Sequence, residues 1–372
     1  MDSDRIAPPK IIRSIQYLRA LAALAVVLYH MHLWEWKAYG DSGVVPRWNS
    51  IGDAGVDLFF VISGFIMLHI QPTRLATGRA WGEFLGRRMA RIFPPYWCVC
   101  LLLLPLWWQA PKLFNNYYQN QVDIIRSFLL LPQDFTPLLA VGWTLIHEVF
   151  FYIVVSFALF LSPVGRIRFG LLWFLLVAVV FWQFGQAHFG QNRVLQLVFS
   201  PFSLTFLLGY FLALCHPWIR RLPWLVSLAV LLVGCVWLGF GAASIPRVGV
   251  YPDNNHMFRF VAFGLPCALL VCGVLGLDAH WQRGSRILAR LGDASYALYL
   301  THLPLVAGFY AALKYARVHG EGMLAGAALG CLLLCICVAM AFYFVIERPG
   351  IRIAKRLIDT WIIRAPTRPP EH

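Results

Sequence analysis

Charge is scarce in this sequence. Only 13% of the 372 residues are charged, with 17 acidic side chains against 31 basic ones. A soluble globular chain carries about 25% charged residues, so an ordinary water-facing surface is excluded. Linkers are missing as well. No Ser/Gly-rich stretch and no large polar block divides the chain, so a single membrane domain over residues 1–372 is expected. No internal repeat is visible. No small-residue cleavage site follows the first apolar run, so that run is expected to stay as a span. No cysteine pair and no histidine–carboxylate set has metal-ligand spacing, so no metal is expected. The nine cysteines sit nearly all inside apolar runs and read as small buried hydrophobes. A Gly-rich phosphate loop and a G-x-S-x-G turn are both absent.

What is present is apolar. Hydrophobic residues make up 60% of the chain, and the mean hydropathy is +0.67. Stretches long enough to cross about 30 Å of hydrocarbon fall near 14–33, 55–71, 92–109, 139–161, 169–187, 196–214, 222–240, 258–277, 292–313 and 322–346. The expected fold is all-α: a polytopic integral membrane bundle of about ten transmembrane helices. With alternating sides, 22 of the 31 Lys and Arg fall on the side of the two termini. Basic residues mark the cytoplasmic side, so both termini are expected in the cytoplasm. The net charge of +14 then reads as topology and contact with anionic lipid, not as a nucleic-acid surface.

Against this background the buried ionisable residues stand out. Arg19 and His30 are eleven residues apart in the first span. That is close to three helical turns, so both lie on one face, roughly 16 Å apart along the axis. An ionisable group inside a membrane is a functional candidate by default. Asp57 opens the second span, near the expected depth of His30. It reads either as a partner that orients an imidazole or as an interfacial acid at a helix N-terminus. Ser63 follows on the same helix. Arg87, Arg88 and Arg91 precede the third span. Arg88 and Arg91, three apart, share a face and suit either phosphate binding or membrane anchoring.

The fourth span carries Trp143, Thr144, Glu148 and Tyr152, read as lying near one face, with His147 about 100° away. Glu148 is open to three readings: a structural ion pair, a hydroxyl-binding group, or a group that tunes a histidine. His302 sits in the middle of the ninth stretch. Glu347-Arg348-Pro349 closes the last one, and Pro349 is expected to end that helix.

These strings, in this order, resemble the membrane-bound acyltransferase-3 family. They are Arg-x10-His, G-V-D-L-F-F-V-I-S-G-F, R-x-x-R, W-T-L-x-x-E-x-x-F-Y, S-Y-x-L-Y-L-x-H and E-R-P. The opening Ile15-Gln16-Tyr17-Leu18-Arg19-Ala20-Leu21 is most similar to bacterial members that modify exopolysaccharide. The resemblance implies a single acyltransferase domain in the bacterial inner membrane. It implies transfer of an acyl group, usually acetyl, from cytoplasmic acyl-CoA to a sugar hydroxyl outside the cytoplasm. No cofactor is permanently bound; acyl-CoA is the donor substrate. The expected partners are a glycan or lipid-linked sugar acceptor, the bilayer and polysaccharide-assembly machinery.

It implies that Arg19, His30 and the Arg88/Arg91 pair are required. In this reading His30 is the general base, Asp57 or Glu148 orients it, and Arg19 guides the donor or holds the oxyanion. Arg87, Arg88 and Arg91 bind coenzyme A phosphates. Trp143, Tyr152, Ser63 and His302 contact substrate or support the site, and acyl-His30 or acyl-Ser63 is the covalent alternative to direct transfer. His147 departs from many relatives, and the esterase-like domain of some relatives is not expected here. The competing class is a transporter or flippase for a glycan or acylated lipid, for which neither inverted repeats nor Gly/Pro-broken helix pairs are found.

Overall fold

The computed structural model describes residues 12–40, 44–45, 51–71, 75–114, 121–184, 189–244, 256–280 and 284–360. His188 and His372 lie outside the described residues, as do Arg74 and Arg283 of the basic-residue count. The described residues contain helices and no strand. Ten helices among them are long and apolar enough to span a bilayer. The expected all-α polytopic bundle is therefore the observed one. The principal helices are α1 (Arg13–Tyr39), α2 (Ala54–His69), α3 (Gly78–Gln109), α4 (Gly142–Phe157), α5 (Pro163–Phe184), α6 (Pro201–Ile219), α7 (Trp224–Ala243), α8 (Leu265–Asp278), α9 (Ser295–Tyr315) and α10 (Glu321–Phe342).

Two boundaries differ from expectation. Helix α3 begins at Gly78, where the Thr77 hydroxyl accepts from Ala80 N at 3.3 Å. Its 32 residues reach about 48 Å, well beyond the hydrocarbon. Hydropathy marks only the lipid-immersed part of such a helix. Pro349 does not end the last helix. A π-turn over Tyr343–Glu347 links α10 to α11 (Arg348–Ile358), with Pro349 in its first turn. That is the position where a proline's missing N–H is harmless, and the wider turn before it leaves room for the ring.

The chain forms two compact units. The first comprises Met1–Ile70, Pro132–Asp134 and Gly170–Ala341. Lipid is as apolar as leucine, so helices gain little by merely hiding apolar surface from each other; close packing holds them together. A Cβ on Gly64 would strike the Phe206 carbonyl, and one on Gly209 the Val61 carbonyl. Helices α2 and α6 therefore cross backbone to backbone. Gly52 and Gly55 meet the Ala25 and Ala22 carbonyls in the same way, which seats α2 on α1. Leu58, Val61 and Phe65 pack with Phe263, Val271 and Leu275 in the core of this unit. Helix α1 also lies along α9 and the short helix Arg286–Asp293, which sets the middle of α1 beside the middle of α9.

The second unit comprises Gln71–Leu131, Phe135–Phe169 and Phe342–His372. Here α4 and α11 both pack on α3. Gly86 faces Ile358 and Gly350 faces Pro94, so α11 runs antiparallel to the first half of α3. Indole Nε1 of Trp81 donates to Ser156 Oγ at 3.0 Å, and Tyr96 Oη to the Ser127 carbonyl at 2.8 Å.

Candidate active site

In the first unit, α1 and α9 bring His30 and His302 together. His302 is fully buried. Its Nε2 lies 3.2 Å from Nδ1 of His30, with ring centroids 4.9 Å apart. Nδ1 of His302 lies 2.8 Å from the Tyr299 carbonyl and 3.1 Å from that of Leu298. Nδ1 of His30 also faces the Val26 carbonyl at 2.9 Å. Nε2 of His30 has no hydrogen-bond partner among the described residues. Arg19, also buried, is on the same helix about 16 Å away along the axis.

Asp57 does not take the place expected of it. It is completely buried and its Oδ2 meets Nη2 of Arg259 at 2.7 Å. The same guanidinium binds Asp53 three times, Nη1 to Oδ2 at 2.7 Å and Nη2 to the backbone carbonyl at 3.0 Å and to Oδ1 at 3.3 Å. It stacks over Phe202 and Phe263, 5.4 and 5.6 Å from the ring centroids. Gly52 faces Ala25 and Tyr29, and Gly55 faces Ala22 and Val26. As α2 advances it therefore descends α1 toward Arg19, and Asp57 lies below the level of His30. The ring partner of His30 is His302. Ser63, six residues beyond Asp57, lies on another face of α2.

In the second unit, α3 presents Arg87, Arg88 and Arg91. Arg87 donates through Nε to Glu83 at 2.9 Å and through Nη2 to Asp359 at 2.7 Å. Arg88 lies over the rings of Phe84 and Tyr152, 5.9 Å from each centroid. The Tyr152 hydroxyl donates to Glu148 Oε1, so Arg88, Tyr152 and Glu148 form one polar row between α3 and α4. The Trp143 ring meets His147 edge-on at 6.0 Å. Five residues separate Trp143 from Glu148, which is about 140° of rotation, so the expected shared face fails for Trp143. Thr144 Oγ1 turns back onto the Val141 carbonyl at 2.9 Å.

Two participants were not anticipated. Lys355 of α11 is exposed and within electrostatic range of Arg87, Arg88 and Arg91. Arg259 enters the first unit just ahead of a π-turn over Phe260–Gly264. The signal for Arg259 was an arginine at the mouth of a span of hydropathy 2.4, facing two aspartates of the opposite sign. For Lys355 no signal existed, because the helix was expected to stop at Pro349.

A family model described as an acyltransferase domain, Acyl_transf_3, matches residues 12–344. The chain belongs to the acyltransferase-3 family. This acyltransferase is 30% identical over 318 residues to the exopolysaccharide production protein ExoZ of Rhizobium meliloti, covering 82% of this chain and 90% of that one. It is 26% identical to the acyltransferase MdmB of Streptomyces mycarofaciens over 94% of each chain. It is 23% identical to the O-acetyltransferase OatA of Staphylococcus aureus over 82% of this chain and 52% of OatA. No solved structure matches. Arg19, His30, Arg87, Arg88, Arg91, Arg259 and His302 fall inside the matched region, and Lys355 lies eleven residues beyond it.

Proposed function

We propose that this membrane acyltransferase moves an acetyl group from cytoplasmic acyl-CoA to a sugar hydroxyl of an exported polysaccharide or glycolipid. Its setting is the bacterial inner membrane, with both termini cytoplasmic. One observation carries the catalytic part: Nδ1 of His30 is engaged while Nε2 has no hydrogen-bond partner among the described residues. The name of ExoZ, an exopolysaccharide production protein, supports a glycan acceptor.

In this reading Nε2 of His30 takes the proton of the acceptor hydroxyl. The oxygen attacks the thioester carbonyl carbon, and the resulting oxyanion collapses with breakage of the C–S bond. The proton passes from His30 to the departing thiolate, giving the acyl ester and free coenzyme A. General-base assistance of this kind is worth typically 10²–10⁴-fold. Arg19 is about 16 Å from His30 along α1, too far for both to serve one tetrahedral centre. Helical side chains also lean toward the N-terminus, which turns Arg19 away from His30. Arg19 therefore guides the donor's arm. Arg87, Arg88, Arg91 and Lys355 hold the coenzyme phosphates, with Tyr152 and Glu148 keeping Arg88 in place.

The test uses the full chain in nanodiscs with acetyl-CoA and a panel of oligosaccharides. Release of free thiol that depends on an acceptor is expected, and in sealed vesicles only donor on the terminal side should support it. Release independent of any acceptor, or from the opposite side, would sink the reading.

A further inference from the structure

We infer that His302 is the positioning residue for His30: it accepts a hydrogen bond from Nδ1–H of His30 and so fixes Nε2 of His30 as the basic nitrogen. The inference rests on the acyl-transfer reading and names the group that acts behind the base.

The argument is one of donors and acceptors. Carbonyl oxygens only accept. The Leu298 and Tyr299 carbonyls at 3.1 and 2.8 Å therefore require a proton on Nδ1 of His302. The Val26 carbonyl at 2.9 Å requires a proton on Nδ1 of His30 in the same way. A doubly protonated His302 would point an N–H at that N–H across 3.2 Å. The arrangement is self-consistent only with His302 neutral and its Nε2 lone pair accepting. The Nδ1 proton of His30 is then shared between Val26 and His302. A neutral imidazole has one proton, so Nε2 of His30 is bare, and no described residue hydrogen-bonds to it.

The arrangement also helps at the moment of reaction. When His30 takes the acceptor's proton it becomes an imidazolium, and the His302 lone pair faces its Nδ1–H. Holding the tautomer of a catalytic histidine in this way is worth up to about 10⁴ in turnover. The other candidates for this role are committed elsewhere. Asp53 and Asp57 are tied to Arg259, and Nδ1 of His32 meets the Val45 carbonyl at 2.7 Å. The charged and titratable groups around the pair are Tyr29 and Lys37 on α1, Asp53 and Asp57 at the start of α2, Arg259 ahead of α8, and Tyr299 on α9.

The test compares His302→Leu and His302→Gln in the full chain in nanodiscs, using acetyl-CoA and an oligosaccharide that the wild type acetylates. The glutamine amide oxygen reaches about as far as the imidazole Nε2 and can accept the same bond. His302→Leu is expected to lower saturated turnover about 100-fold, with both KM values within about threefold, and to move the acidic limb of the rate profile to lower pH. His302→Gln should recover turnover to within about tenfold of wild type. A leucine variant that runs within threefold of wild type, or a folded glutamine variant no better than leucine, overturns the inference.

Should the leucine variant fail to fold, the ring ¹⁵N resonances of the histidine-labelled wild type decide. A protonated Nδ1 and bare Nε2 on His30 support the inference, and a protonated Nε2 defeats it. A wild type inactive on every acceptor, or an active His30→Ala, would instead defeat the acyl-transfer reading while leaving the nitrogen spectrum to judge the pair.

Discussion

The two polar clusters of this acyltransferase are built on opposite principles. Around His30 nearly every polar group has a fixed partner: an imidazole for an imidazole, a guanidinium for two aspartates, a carbonyl for each Nδ1. Asp57, Arg259 and His302 are all buried. Around Arg88 the cations outnumber their local acids, and Lys355 stands exposed beside three guanidiniums. The first arrangement leaves Nε2 of His30 without a hydrogen bond among the described residues and holds it still. The second leaves positive charge uncompensated at a surface. Buried, saturated networks are rigid and fail badly when one member is lost. Exposed, unsaturated ones bind anions and yield gradually to salt.

The sharpest way to break this contrast is His30→Ala. It removes Nε2 of His30 and leaves the Asp53–Arg259–Asp57 group untouched. Turnover should fall at least 100-fold and up to about 10⁴-fold, with donor KM little changed. Retention of more than about a tenth of the wild-type rate would remove His30 from the role of base. Arg259→Met should come next, and through stability. Losing one member of a buried ion group costs about 3–5 kcal/mol because the remaining charges stay buried and unpaired. Adding Asp53→Asn and Asp57→Asn should recover most of the lost thermal stability. If Arg259→Met alone melts like the wild type, the group is not the lock of this unit.

Legibility from sequence followed the same divide. The spans were readable because twenty apolar residues in a row have few other uses. Arg19, His30 and Asp57 were readable as candidates because charge inside a span is rare. Who partners whom was not readable. Asp57 suited His30 by type and expected depth, and only the crossing of α1 with α2 at Gly52 and Gly55 assigns Asp57 to Arg259. The expected shared face fails at Trp143 because the five residues to Glu148 turn the helix by about 140°. Helix ends were the weakest point. The amphipathic start of α3 and all of α11 lie beyond the apolar stretch, and hydropathy is silent there. Lys355 was lost for that reason.

The mildest prediction tests the exposed cluster where its members differ most. Arg88 is pinned by Tyr152 and Glu148 on one side and sits over Phe84 on the other, whereas Lys355 is exposed and projects from a helix that packs on α3. A fixed guanidinium can bind a phosphate through two parallel bonds; a flexible ammonium acts as a point charge. Arg88→Ala and Arg91→Ala should each raise the donor KM about tenfold with turnover at saturation kept, a loss of about 1.4 kcal/mol of the kind expected for one charge-assisted contact. Lys355→Ala should raise it only about threefold, within the range of an exposed ion pair, and Lys355→Arg should restore it. The effect of Lys355→Ala should shrink as salt rises from 50 to 500 mM, while that of Arg88→Ala should persist, because screening reaches the exposed charge first. Equal and salt-independent losses for both would mean that α11 is as much a part of the fixed site as α3, and the division between a pinned and a floating cation would go with it.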